Sequence, residues 1–372
     1  MFVNNLFKGR QGNIFNDKTL YKSIMMELST YNSKKITILN AIAILLVLLL
    51  HSYYLEASDY PLAQGIQLFT GTTGLSGVAV PLFYFMSGLL FFKSVGSVKE
   101  CILGIRKRVR SLLVPYVIWN IIFVGWYVVL HYTPGVSQYV NSDILSHLSL
   151  SRPFRCIEYL LIEPAGFHLW FLRDLIVYIT FTPLLFCLIR RYPWFTLIAL
   201  LCVFGGIARC GITYFVFGAV IAIHYGMEKF GSILSKPVVV ICLMLFILNA
   251  VMTEFTACNS VVGNPYWQQL VNFVGILALW GLYDIVFTIT RQNRLTDFIL
   301  SLSKYSFFIY LFHEPVFNII KKLGVKLWGI SDLSLIVLYF INPLLMATFA
   351  VGVGWTLKKY LPRMYSILVG GR

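Results

Sequence analysis

The sequence predicts an all-helical bundle that crosses a membrane about ten times, and three observations carry that expectation. Of its residues, 58% are hydrophobic and only 12% charged, and the mean hydropathy is +0.78. A soluble domain carries about 25% charged residues. The apolar residues come in long uninterrupted runs, and most charges fall between them. A formal charge of +15 could suit nucleic acid, but it is dispersed among apolar runs instead of gathered into a patch.

Residues 1–35 are polar and read as a cytoplasmic extension with an amphipathic turn around Leu20–Leu28; no cleavable signal segment is visible. A spanning helix needs about 20 mostly apolar residues. Such runs occur at 36–55, 76–92, 111–131, 168–189, 193–208, 211–226, 237–253, 269–289, 305–320 and 334–357. Gly205, Gly206, Arg209 and Gly211 interrupt the fifth and sixth, which could instead form one re-entrant element. Residues 358–372 read as a basic cytoplasmic tail. With an inside N-terminus, all but seven of the 30 Lys and Arg fall on the inner side, which places both termini in the cytoplasm. The loop holding Lys321, Lys322 and Lys326 is the exception, basic yet expected outside. The seven cysteines lie at irregular spacing without a CxxC, which argues against a metal centre and against a disulfide framework. The outer loop 132–167 is too short for a domain of its own.

Ionisable side chains inside an apolar run cost several kcal/mol unless they face protein or water, so they mark candidate sites. His51 follows ten apolar or small residues and lies roughly 24 Å along the helix from Lys35, at about 1.5 Å per residue. It reads either as an interfacial histidine or as a group that takes a proton or an acyl chain. A basic hinge, Arg106-Lys107-Arg108-Val109-Arg110, leads into the third run, where Tyr116 and Asn120 share a helix face. Retention of positive charge inside explains any basic loop; the functional alternative is an anionic ligand such as coenzyme A, whose phosphates suit guanidinium forks.

His168 opens the fourth run, and Trp170 and Arg173 are spaced for a cation–π contact, with Asp174 and Tyr178 on the neighbouring strip. His313 lies near the middle of the ninth run. Glu314, one residue on, is expected to point away from it along a helix, and Pro315 to kink the chain. His131, His147 and His224 read as structural. Asn249, Asn272, Asp284 and Asn342 read as interhelical hydrogen-bonding groups, Asp284 being the one to watch.

At these residues the chain resembles the membrane acyltransferase-3 family, which includes O-acetyltransferases of bacterial surface polysaccharides and of enterobacterial common antigen. The resemblance covers nearly all of 36–357 and rests on five strings in order. They are the apolar run 41–51 ending in His51, Pro81–Gly88, Arg108–Trp119, His168–Leu175 and Tyr305–His313. It implies a transmembrane acyltransferase domain over 36–357 and an acyl-CoA donor, acetyl-CoA above all, on the cytoplasmic side. The acceptor it implies is a hydroxyl of a cell-surface or lipid-linked glycan, and the location a bacterial cytoplasmic membrane. Carried over, His51 is the catalytic histidine and Arg106, Arg108 and Arg110 handle the donor.

Within that picture His313 is a second proton-handling group and Arg173 an oxyanion or acceptor clamp. Tyr116 and Asn120 line the donor site, and His168, Trp170, Asp174 and Glu314 the acceptor site. No bound cofactor or metal is expected. The family's first-helix motif places an arginine eleven residues before the histidine; Asn40 stands there, so charge support must come from elsewhere, with Arg108 or Arg110 as candidates. A transporter or flippase of a lipid-linked saccharide is the rival reading, which paired broken helices and internal repeats would favour.

Overall fold

The computed structural model describes residues 14–134, 162–207, 210–255, 259–289 and 294–371, and every regular element among them is helical. Long apolar stretches low in Gly and Pro leave the backbone no way to satisfy its polar groups in hydrocarbon except within each segment. In chain order the helices are α1 (Ile14–His51), α2 (Pro61–Thr70), α3 (Ala79–Phe92) and α4 (Val98–Tyr132). Then come α5 (Trp170–Thr180), α6 (Thr182–Arg191), α7 (Pro193–Phe204) and α8 (Ile212–Val220). After α9 (Gly226–Ile233) and α10 (Lys236–Met252) follow α11 (Pro265–Ile289), α12 (Arg294–Ser303), α13 (Ser306–Trp328), α14 (Asp332–Tyr360) and α15 (Pro362–Leu368).

Each of the ten apolar runs is helical over most of its described length. Among the described residues, five helices are long and apolar enough to cross a membrane, or up to seven if each of two bent pairs is one span. α5 and α6 bend by 63° where Phe181 leaves helical geometry ahead of Pro183. The segment Ile212–Ile233 bends by 91° from α10 at the Leu234–Ser235 break, just ahead of Pro237. α7 is too short to count, and α13 carries His313, Glu314 and three lysines in a helix that is otherwise apolar. The chain is thus a multi-pass membrane protein.

Two further expectations change. The stretch 14–35 is helical and continuous with the first span, while residues 1–13 lie outside the described residues, as do Arg209 and most of the loop 132–167. The basic hinge is no hinge: Arg106, Arg108 and Arg110 sit within one unbroken helix that runs on through Pro115. Its start is fixed by Ser97, whose hydroxyl accepts from the Glu100 amide while the Glu100 carboxylate takes the Gly96 amide at 2.7 Å.

Two compact units emerge, each built from three stretches of chain. The first comprises Met1–Ala43, Thr72–Lys93 and Pro193–Lys304. Here α3 and α8 pack glycine against backbone: a Cβ on Gly88 would overlap the Phe215 carbonyl, and one on Gly218 the Phe85 carbonyl. Small residues are what allow such approach where lipid gives no hydrophobic drive. Gly88→Ala and Gly218→Ala should therefore each cost about 1–3 kcal/mol, the range for overpacking, seen as earlier thermal unfolding in detergent.

Polar pairs bind the rest of the first unit. Asn249 donates to the Thr73 carbonyl and accepts from the Trp267 indole, both at 2.8 Å, and Asn272 donates to the Tyr214 hydroxyl. Lys35, 2% exposed, holds both Asp284 oxygens at 2.7 and 2.8 Å and lies 4.2 Å from the Trp280 ring centroid. Tyr31 adds a third donor to Asp284. The intramembrane acid is thereby satisfied as one half of an ion pair, a structural use of its charge.

The second unit comprises Ile44–Gly71, Ser94–Tyr192 and Tyr305–Arg372. Tyr54, Ala57, Ala63, Leu335 and Leu338 form a small core against α14. Around it, Ser52 donates to the Tyr339 carbonyl, the Tyr54 amide to Gln67, the Ala63 amide to Asp332, and Asn342 to the Tyr54 hydroxyl. These bonds fix the turn that follows His51 and so set where α1 ends.

Candidate active site

The second unit brings three of the six histidines together. His51 is the last residue of α1, His313 lies in α13, and His168 sits in a short 3-10 turn, Phe167–Leu169, ahead of α5. The ring centroids of His51 and His313 are 5.0 Å apart and those of His168 and His313 4.7 Å, so His313 lies between the other two. His313 is fully buried, His168 nearly so, and His51 is 25% exposed. His51 is thus the imidazole within reach of a substrate.

Hydrogen bonds assign the tautomers of the buried pair. His313 Nδ1 lies 2.7 Å from the Tyr310 carbonyl oxygen, which can only accept, so Nδ1 carries the proton. The bare nitrogen Nε2 is buried with no hydrogen-bond partner. His168 is the reverse: Nε2 donates to the Leu311 carbonyl at 3.3 Å, and Nδ1 is left buried without a partner. Two unprotonated ring nitrogens are thus held away from water without a hydrogen-bond donor.

Glu314 joins them, against expectation. Its backbone is extended (φ −96°, ψ 142°), which breaks α13 at that residue. The usual rotation of about 100° between helical neighbours is lost there, and the carboxylate comes round to the His313 side. A ring nitrogen of His51, one of His313 and a Glu314 oxygen all lie within 4.8 Å of one another. Glu314 Oε1 is 4.0 Å from His51 Nδ1, an ion-pair distance that must shorten to become a hydrogen bond. Glu314 Oε2 accepts from Asn318 at 2.7 Å.

Lys321 is the feature that sequence reasoning missed. Its ammonium donates to the His51 carbonyl at 3.1 Å and to that of Tyr53, and lies 5.2 Å from the Tyr54 ring centroid. A cation on the carbonyls at a helix C-terminus satisfies orphaned acceptors and complements the dipole. Lys321, expected in a loop, thus lies in α13 and holds the end of the helix that presents His51.

The remaining candidates divide. Asn120 bonds backbone at both ends of its amide, donating to the Tyr116 carbonyl and accepting from the Ala165 amide, both at 2.8 Å. It thereby pins the strand of chain that delivers His168, and Gly166 lets that chain lie on the Phe123 ring. The Tyr310 hydroxyl completes the clamp by donating to the His168 carbonyl at 2.8 Å. His168 is accordingly an interior residue and not an interfacial anchor.

Arg173 does not join the imidazoles. Its Nε donates to Asp174 at 2.8 Å and a terminal nitrogen bonds the Ile162 carbonyl; among the described residues it contacts none of the three rings. The expected cation–π contact with half-buried Trp170 gives way to this ion pair, because a full opposite charge outweighs a ring quadrupole. Arg106 and Arg110 are exposed and Arg108 half-buried on α4, and Tyr116 is buried further along it.

A buried set of imidazoles beside a carboxylate, one ring open to substrate, is equipped to move protons at a reacting hydroxyl. The chain is 24% identical over 326 residues to the "Succinoglycan biosynthesis protein ExoH" of Rhizobium meliloti (strain 1021), covering 84% of each. No solved structure matches at a significant level. A family profile described as an acyltransferase domain matches residues 34–358, which takes in α1 from its buried lysine through nearly all of α14; this chain belongs to the acyltransferase-3 family.

Proposed function

We propose that the protein transfers an acyl group, expected to be acetyl, from acyl-CoA to a hydroxyl of a cell-surface or lipid-linked glycan. We place it in a bacterial cytoplasmic membrane with both termini inside. Membership of the acyltransferase family and a relative named for succinoglycan biosynthesis support the reading. The observation that carries it is the approach of Glu314 to Nδ1 of the only partly exposed imidazole in the cluster. A carboxylate there favours the Nδ1–H tautomer and leaves Nε2 of His51 as the base.

In the proposed reaction Nε2 takes the proton as the acceptor oxygen attacks the thioester carbonyl. The carbon–sulfur bond then breaks, and the proton passes to the departing thiolate. General base catalysis supplies about 10²–10⁴-fold of the acceleration. Arg106, Arg108 and Arg110, with Tyr116, are proposed on the donor side. The Arg173–Asp174 pair, with Trp170, is proposed to contact the acceptor, and His168 to support His313.

The test is transfer of radiolabel from acetyl-CoA to glycan in membranes carrying the protein. Replacing Arg108 and Arg110 by Gln should raise the KM for acetyl-CoA and leave that for the acceptor unchanged; an unaltered donor KM would return those arginines to a topological role. The two bent helix pairs are a trait that transporters share. Glycan movement across the membrane without labelled product would favour that rival.

A further inference from the structure

We propose that His51, His313 and Glu314 also form a binding site for a divalent cation of the zinc type, and that occupancy shuts off acyl transfer. The second half rests on the activity proposed above. Four observations carry it. One donor atom from each residue lies within 4.8 Å of the others, so small side-chain movements suffice to meet about 2.0–2.1 Å bonds to one ion. His313 is fully buried and retains an unpartnered ring nitrogen, the state in which imidazole binds metal.

The other two concern the surroundings. His313 gives its Nδ1 proton to the Tyr310 carbonyl, and Glu314 Oε2 is held by Asn318, so two of the three ligands already have the outer partners that orient metal-binding groups. Two imidazoles and a carboxylate with an open fourth position are the ligand set of many zinc sites, whereas magnesium and calcium require mostly oxygen. A cation held by Glu314 and His51 would displace the Nδ1 proton that leaves Nε2 of His51 as the base, and would place positive charge beside the ring that must accept a proton.

Lys321 opposes binding, since its ammonium is anchored on the His51 carbonyl, next to the site. This gives the proposal a sign that a merely structural role for Lys321 would not produce. Lys321→Gln removes the charge while keeping a donor, and should tighten zinc binding by about tenfold, one charge at short range.

The experiment uses full-length protein in detergent, stripped with chelator and titrated with Zn²⁺ and with Co²⁺. Expected are one equivalent bound and cobalt bands in the visible without thiolate charge transfer, which separates this site from the cysteines. Acyl transfer should fall in step with occupancy and return on chelation. Asn318→Ala, which alters only an outer partner, should weaken binding about 10–100-fold, and Glu314→Gln or His313→Ala should weaken it further. Absence of stoichiometric binding, or binding unchanged in the Glu314 and His313 variants, overturns the site. Acyl transfer that persists at full occupancy overturns the shut-off. Stoichiometric binding to a protein that transfers no acetyl group would leave the site standing and defeat the activity proposal instead.

Discussion

His51→Ala should lower acetyl transfer by about 10²–10⁴-fold, the ordinary worth of a positioned general base, while the protein remains folded in the membrane. Folding should survive because what holds the end of α1 is backbone: Lys321 grips the His51 and Tyr53 carbonyls, which the substitution leaves in place. The ring itself makes an edge contact to Phe167 and a tilted contact to His313. The check is turnover of labelled acetyl-CoA alongside a thermal unfolding curve in detergent. Full activity in a folded variant removes His51 from the reaction and leaves the cluster without its accessible member.

Glu314→Gln is expected to cost nearly as much, approaching the 10⁴-fold seen when a carboxylate that orients a catalytic histidine becomes an amide. Gln can still accept from Asn318 through its carbonyl oxygen, so the local fold should hold. What it loses is the negative charge that favours the Nδ1–H form of His51 and steadies the imidazolium. The double variant with His51→Ala should be scarcely worse than His51→Ala alone, because residues that act as a unit are not additive. If the two losses multiply, Glu314 works elsewhere.

The sequence revealed helices more readily than spans. All ten apolar runs are helical over most of their described length, since length and apolarity alone force a hydrogen-bonded segment in hydrocarbon. Crossing depends on where the chain breaks: the bend at Phe181 lies inside a run that hydropathy treats as continuous, and the one at Leu234–Ser235 lies between two runs.

Within the site, His51, His168 and His313 were legible because an imidazole in an apolar run is costly without a reason. Glu314 was misplaced by assuming helical geometry. The signal that corrects it was present, since a residue before proline is pushed toward extended backbone, as Glu314 is. Lys321 showed only as a charge on the wrong side, for its partner is a carbonyl, and every residue has one. Asn120 was read for its polar stripe. Its engagement with Ala165, 45 positions along the chain, has no trace in local spacing. Asn249 and Asn272 bond across helices as expected, with Trp267 and Tyr214, whereas Asn342 bonds the Tyr54 hydroxyl in the turn after α1.

The glycine faces of α3 and α8 carry a consequence for biosynthesis. Gly88 leaves the ribosome long before Phe215, the backbone partner it fits, and before Gly218, which fits the Phe85 carbonyl. At about 5–20 residues per second the delay is on the order of ten seconds. For that interval the grooved side of α3 must lie against lipid tails or a chaperoning insertase, because nothing yet synthesised can fill it. Slowing elongation between the two glycines should lengthen the vulnerable window and raise the share of chains degraded before the pair can close.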